Sequence, residues 1–249
     1  MKKFAALILA LIMILSCTAL ADDVIFVATN PEYPPFEYVE GDATIGYDID
    51  LFDAIAKKAG FEYVIEAMDF DAVVSAVHAN VNTVGLSGIS INPERSKNVN
   101  FSTGYINAGL VVIVKEGSNL ATQEDLAGKL IGVQLGTTSD TAAEKITGLE
   151  NVAQYKTFLN AVMDLQMNYI DAVIIDKPVG EAIMASLNDP TLVMVDMGLD
   201  ADWYGIAVNK ANTELLEKIN NALAELEAEG FFQELAVKYF GGTEEEAAE

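Results

Sequence analysis

Short runs rich in Val, Ile and Ala alternate with longer stretches in which apolar residues recur at helical spacing, and this rhythm persists through most of the chain. Seven runs read as strands: Val24 to Ala28, Tyr63 to Glu66, Leu110 to Val114, Leu130 to Val133, Ala172 to Ile175, Leu192 to Val195 and Gly205 to Val208. Between them, the amphipathic pattern predicts helices over Ile49 to Ala59, Asp71 to Ala79, Ser139 to Ile146, Phe158 to Asn168 and Pro178 to Ser186. Two more follow at Asn212 to Glu229 and Phe231 to Tyr239. Strand–helix alternation predicts an α/β fold with largely parallel sheets covered on both faces. No internal repeat is visible. Two apolar segments, Leu110 to Lys115 and Trp203 to Asn209, border polar loops and are the candidate connections between lobes.

The first residues follow a different pattern. Lys2 and Lys3 precede an unbroken apolar run from Phe4 to Leu15, and Ala19-Leu20-Ala21 supplies a small-x-small cleavage signal. Residues 1–21 are therefore expected to be a secretory signal peptide. The run of twelve falls short of the ~20 apolar residues that a spanning helix needs. The mature chain is expected to be exported, periplasmic or extracellular, and soluble. Cys17 is the single cysteine. Cleavage after Ala21 removes it, and with it any disulfide, thiolate nucleophile or cysteine metal site. Ile14-Leu15-Ser16-Cys17 loosely resembles a lipobox, which would instead make Cys17 a lipidated first residue; the alanine-rich site favours soluble release. At the other end, Thr243 to Glu249 are acidic and small, the composition of a frayed tail.

Charge narrows the function classes. The 14 Lys+Arg against 38 Asp+Glu give −24, and losing Lys2 and Lys3 with the signal peptide takes the remaining 228 residues to −26. Such a surface repels nucleic acid and anionic lipid. An anionic ligand then needs a local positive site, and one residue suggests where. Arg95 is the only arginine beside thirteen lysines, and its planar guanidinium matches a carboxylate's two oxygens. It ends Gly88-Ile89-Ser90-Ile91-Asn92-Pro93-Glu94-Arg95, a small-residue turn through which backbone groups can approach a ligand.

Other segments offer complementary chemistry. Asn30-Pro31-Glu32-Tyr33-Pro34-Pro35-Phe36-Glu37 sets two aromatics on a loop stiffened by three prolines. Asp48, Asp50 and Asp53 open a helix, where capping and the helix dipole explain acids better than a calcium site does. Gly85-Leu86-Ser87-Gly88-Ile89 approaches a nucleophile elbow but has Ile89 at the fifth position, and the only histidine is His78. Gly132 to Asp140 reads strand, glycine turn, helix start, an anion site lacking the Gly-Lys pair of a phosphate loop. Asp171 to Asp176 is an apolar strand ending in a carboxylate, either a ligand group or a cap for the following helix. One guanidinium, one helix-start nest, one opposing carboxylate and aromatic walls match the carboxylate, ammonium and side chain of an α-amino acid. No activated nucleophile, metal site or cofactor motif accompanies them.

These residues resemble bacterial extracellular solute-binding proteins of family 3, the polar amino-acid receptors of ABC importers. Gly46 to Ile55 fits the family signature. Pro34-Pro35-Phe36-Glu37, Ile91 to Arg95 with Phe101-Ser102, Gly136-Thr137-Thr138 and the strand ending at Asp176 fit its neighbours. The resemblance implies a two-lobed periplasmic-binding-protein fold of type II, with two hinge crossovers and the ligand cleft between lobes. It implies a signal peptide at 1–21, a first lobe from 22–112 and 209–240, a second lobe at 113–208 and a tail at 241–249. By position, Arg95 would hold the ligand carboxylate with the backbone amides of Ser90 and Thr138. Asp176, the Gly88 carbonyl and the Ser90 hydroxyl would take the ammonium. Tyr33 and Phe70 would wall the side chain, with Asn30, Ser87 and Gln134 at specificity positions. Asn92 and Asn82 depart from the commoner threonine and aspartate. Asn30 is neutral where some binders of cationic amino acids carry aspartate, which leaves Glu37, Asp69 and Asp71 as sources of charge and the specificity open. The expected function is a non-enzymatic, monomeric receptor that closes on a free L-amino acid and delivers it to permease subunits. The rival is a cyclohexadienyl dehydratase-like enzyme on the same scaffold, with Glu37 as its general acid.

Overall fold

The computed structural model describes residues 24–241. The expected signal peptide, Cys17 and Thr243 to Glu249 lie outside the described residues. The chain opens with β1 (Ile25–Thr29), β2 (Glu32–Tyr33), β3 (Glu37–Glu40) and β4 (Ala43–Ile45), then α1 (Tyr47–Ala59), β5 (Tyr63–Ala67), α2 (Phe70–Ala79), β6 (Thr83–Gly85) and β7 (Val99–Phe101). The long β8 (Ile106–Lys115) follows, then β9 (Ile131–Gln134), α3 (Thr138–Thr147), β10 (Val152–Tyr155), α4 (Phe158–Gln166), β11 (Ala172–Asp176), α5 (Lys177–Leu187) and β12 (Leu192–Val195). The last elements are β13 (Ala201–Tyr204), β14 (Ala207–Asn209), α6 (Thr213–Ala228) and α7 (Phe231–Phe240).

Two sheets define two lobes. The first has the order β5-β1-β6-β14-β7 and the second β10-β9-β11-β8-β12. Val27 and Ala28, neighbours pointing to opposite faces of β1, are both fully buried, so helices cover the first sheet on both sides. α1 puts Leu51, Phe52 and Ile55 into the core and ends at Gly60, whose left-handed φ of 75° lets its N–H return to the Ala56 carbonyl. The helices begin and end within about two residues of the sequence expectation, the ordinary uncertainty of helix ends.

The sheets are mixed, which corrects the expectation of largely parallel ones. β8 carries the chain out of the first lobe and enters the second sheet antiparallel to β11 and β12. β13 returns alongside the first half of β8, pairing Trp203 with Asn107, and β14 re-enters the first sheet antiparallel to β6 and β7. β8 and β13 are thus the two crossovers. The β2-β3-β4 sheet, β6, β7 and β10 were not anticipated. Each strand is two to four residues long, too short to display a period.

One apolar cluster runs through both lobes. Part of the join is Tyr33 of the first lobe against Phe158 of the second, ring centroids 5.9 Å apart. Contact between the lobes therefore extends through the region where sequence placed the site.

Candidate functional site

Three pieces of local structure converge between the lobes. The turn after β6 presents Ser87, Gly88 and Ser90; the start of α3 presents Gly136 and Thr138; the end of β11 presents Asp176. Gly88 has φ +50°, and a Cβ there would stand 2.6 Å from Tyr33 Cε1, so a side chain would collide with the aromatic wall. At α3, the Thr137 side chain accepts the Asp140 N–H at 3.2 Å, which fixes the helix start and aims its first amides at the cleft.

Arg95 is half-buried and reaches across the lobes. Its guanidinium donates to the Ser90 carbonyl at 2.7 Å and to the Gly136 carbonyl at 3.1 Å. The Phe70 ring lies 5.3 Å from its central carbon, so Phe70 backs the guanidinium as well as facing the cleft. Ser90 and Thr138 hydroxyls meet at 3.3 Å. Asp176 is buried and accepts from the Tyr33 hydroxyl, which also lies 3.0 Å from the Tyr204 hydroxyl. Asp176 makes no side-chain capping bond to α5, which speaks against the capping alternative. Burial pushes Asp176 up to about 6, against the pull of the tyrosine hydroxyls and Arg95. Burial lowers the Arg95 guanidinium, with Asp176 and then Asp202 opposing. The two opposite charges thus feel one another, and burial disfavours the charged form of each.

The other expected residues fall into two groups. Asn30 and Gln134 meet across the lobes: Gln134 Nε2 donates to Asn30 Oδ1 at 2.9 Å and to the Lys156 carbonyl at 2.8 Å. Both amide hydrogens being placed, Gln134 Oε1 is left as a buried acceptor with no donor among the described residues. Ser87 faces inward, accepting the Asn30 N–H at 3.0 Å and donating to Glu37 at 2.7 Å. It supports the turn from below. His78 bonds the Asn98 carbonyl at 3.0 Å, so the structure gives Ser87 and His78 separate partners. Asp48, Asp50 and Asp53 also diverge, toward Gly88 and Tyr105, toward Lys238 and Tyr239, and toward Lys57 respectively. Among the described residues no cluster of three metal-ligating side chains occurs.

Sequence reasoning missed Tyr204 and Lys156. Tyr204 lay inside a segment read only as a connection. Lys156 resembles any other lysine in sequence, yet its ammonium bridges the lobes to Asp69 at 2.9 Å and Asp71 at 3.0 Å. A cavity of about 650 Å³ opens beside the site, sharing Thr138 with it and bordered by Asn92, Lys145, Leu199 and Asp202. Neither Arg95 nor Asp176 is among the residues that line it.

The model of the bacterial extracellular solute-binding proteins, family 3, matches residues 25–242. The arginine-binding extracellular protein ArtP of Bacillus subtilis is 33% identical over 257 residues, covering 97% of this chain and 99% of its own. Among solved structures, an ancestral arginine-binding protein bound to arginine superposes with a TM-score of 0.82 at 37% identity, covering 88% of this chain and 98% of that one. The same figures hold for its glutamine complex. The arginine-, lysine-, histidine-binding protein ArtJ of Geobacillus stearothermophilus gives 0.84 at 33% identity, covering 88% and 96%.

Proposed function

The chain belongs to the bacterial extracellular solute-binding proteins, family 3, and on that premise we propose that it captures a free α-amino acid with an N–H-bearing side chain, arginine foremost, for an ABC importer. The observation that carries this reading is the facing pair of Arg95 and Asp176. A zwitterion placed between them would offer its carboxylate to the guanidinium, aided by the Thr138 amide, and its ammonium to Asp176. Each buried charge would then gain a partner, and the desolvation cost that now pushes both groups toward neutrality would be offset.

The far end of the site supports the side-chain assignment. Gln134 Oε1 is a buried acceptor in need of a donor, and a guanidinium or amide supplies one. Asp69 and Asp71 add negative charge at the margin. Ligand would first meet the Ser87–Ser90 turn and Arg95 on lobe one, and closure about β8 and β13 would add Thr138, Gln134 and Asp176 from lobe two. Lobe one would comprise 22–112 and 209–240, lobe two 113–208. A permease would then receive ligand from the exported, monomeric receptor. A binding role is favoured over catalysis because Glu37, the candidate general acid, is fully buried and engaged with Ser87.

Thermal unfolding of residues 22–249, unfolded and refolded to strip bound solute, tests the reading against the common amino acids and their deaminated and decarboxylated analogues. An upward shift with arginine that agmatine and the deaminated acid do not produce is expected. A folded protein unmoved by every amino acid would overturn it.

A further inference from the structure

Beneath the ligand turn, two carboxyl groups are sealed side by side within lobe one. Glu37 begins β3 and Asp48 lies in the first turn of α1; both are fully buried. Each has one oxygen supplied with donors and one without. Glu37 Oε1 accepts the Ser87 hydroxyl at 2.7 Å. Asp48 Oδ2 accepts the Gly88 N–H at 3.0 Å and the Tyr105 hydroxyl at 2.8 Å. Glu37 Oε2 and Asp48 Oδ1 are buried with no donor among the described residues, and the Asp48 N–H donates to the carbonyl of Phe36, the residue before Glu37, at 3.0 Å, which sets the two acids side by side. The two hydroxyls that bond the pair spend their hydrogens on the other oxygens, Ser87 on Glu37 Oε1 and Tyr105 on Asp48 Oδ2. Two orphaned acceptors on adjacent carboxyls lack one thing, a hydrogen between them.

We infer that Glu37 retains a proton at neutral pH, donates it from Oε2 to Asp48 Oδ1, and thereby acts as a positioning residue for the ligand-binding turn. The proton belongs on Glu37 because Asp48 has two donors stabilising its charge and Glu37 has one. Burial first, and the Asp48 charge second, push the Glu37 carboxyl well above its ordinary range; Asp48 is lifted by burial to about 6, held there by Gly88, Tyr105 and Glu37. The titratable groups facing the pair are Tyr33 from β2, Tyr47 from α1 and Tyr105 from the segment entering β8, all raised above the phenol's ordinary value and neutral in this range. From α7, Lys238 is paired with Asp50. The acid–carboxylate pair therefore carries one negative charge and leaves no orphan.

The pair links two functional parts. Through Ser87 and Gly88 it holds the turn that presents Ser90, and through Ser87 it holds the backbone of Asn30. Through Tyr105, whose N–H bonds the Tyr204 carbonyl at 3.0 Å, it reaches both crossovers. Removing the proton would set two like charges together in a sealed pocket and release this scaffold. Because the folded-state values of both groups are raised, their contribution to stability is complete at acid pH and is lost as pH rises through the folded values.

Glu37→Gln separates this reading from a purely structural one. The amide mimics the protonated acid: Oε1 still accepts from Ser87 and Nε2 donates permanently to Asp48. Infrared difference spectra of the wild type at about pH 7, above the value of Asp176, should show the carbonyl stretch of a protonated carboxyl that E37Q lacks. As pH rises above neutrality, wild-type Tm and affinity for arginine should fall, affinity by roughly tenfold more than in E37Q; titration of arginine's own α-ammonium is common to both proteins and cancels in the comparison. Asp48→Asn, which donates to an ionised Glu37, should flatten the profile too and guards against a folding failure of E37Q. Absence of the carboxyl band in wild type, or a wild-type pH slope retained in E37Q, would overturn the inference. The affinity arm rests on the amino-acid reading; the infrared and stability arms do not, so the two can fail separately.

Discussion

Replacing Asp176 by Asn should make the protein more stable and a poorer receptor at once. Burial lifts this carboxyl from 3.8 to about 6. At about 1.4 kcal/mol per unit, the folded protein carries roughly 3 kcal/mol of unfavourable charge burial at neutral pH. Asparagine keeps an acceptor for the Tyr33 hydroxyl and removes the charge, though it must bury an amide of its own. A net gain of about 1–2 kcal/mol is expected, or a rise in Tm of roughly 2–8 °C for a chain of this size. The sign depends on pH. A carboxyl raised in the folded state costs nothing when protonated in both states, near about pH 3, and its full penalty appears above its folded value of about 6. The advantage of D176N should therefore be present at about pH 7.5 and shrink toward about pH 4. Binding should move the opposite way, because an ammonium left without its buried carboxylate loses about 2–5 kcal/mol, roughly thirtyfold to several thousandfold in Kd. Differential scanning calorimetry without ligand and titration calorimetry with arginine measure the two halves. A variant less stable than wild type at neutral pH would refute the charge-burial reasoning, and native affinity would remove Asp176 from the ligand site.

Three further outcomes are expected. Lys156→Met removes the bridge to Asp69 and Asp71 between the lobes; arginine affinity should fall roughly two- to fivefold at low salt and converge on wild type at high salt, and a salt-independent loss would assign Lys156 a packing role. Gly88→Ala drives a Cβ to 2.6 Å from Tyr33 Cε1 at a φ of +50°, so calorimetric stability should drop by about 1–3 kcal/mol together with affinity; unchanged values would show the turn to be slack. Trp203 is the only tryptophan, half-exposed in the β13 crossover and packed over Gly104, so its emission should change saturably with ligand at the calorimetric Kd; constant emission under saturation would show that this crossover does not move.

Where residues close in sequence act together, the candidate site could be assembled without coordinates. Arg95 and its small-residue turn, the helix start at Thr138 and the carboxylate ending the apolar β11 run each carry a local signature. What escaped reading depends on packing from distant elements. Asp48 looks like a first-turn acid satisfied by the helix dipole, and Glu37 opens a polar-looking Glu-Tyr-Val-Glu strand. Only Tyr105, Gly88 and the aromatic layer around Phe36 and Tyr47, drawn from several parts of the chain, turn them into a buried pair. Asp176 shows the reverse case. Sequence left it divided between capping and binding; the structure shows no side-chain capping bond and instead a contact from Tyr33, 143 positions away.

The contacts between the lobes also bear on how tightly such a receptor can bind. Arg95 to the Gly136 carbonyl, Tyr33 to Asp176 and Gln134 to Asn30 use the very groups a ligand would engage. An arriving zwitterion must exchange partners with them, so its affinity reflects a difference between two sets of hydrogen bonds and not a sum of new ones. Charge decides the exchange. Tyr33 offers Asp176 a neutral hydroxyl and the Gly136 carbonyl offers Arg95 a dipole, whereas a ligand offers each a full opposite charge in a dehydrated gap. Amino acids lacking either terminal charge would replace a neutral partner by another neutral one and gain little. On the proposed site, selection for the intact zwitterion would follow from what the protein's own groups provide to one another, and side-chain selection would be left to Gln134 and the acids near it.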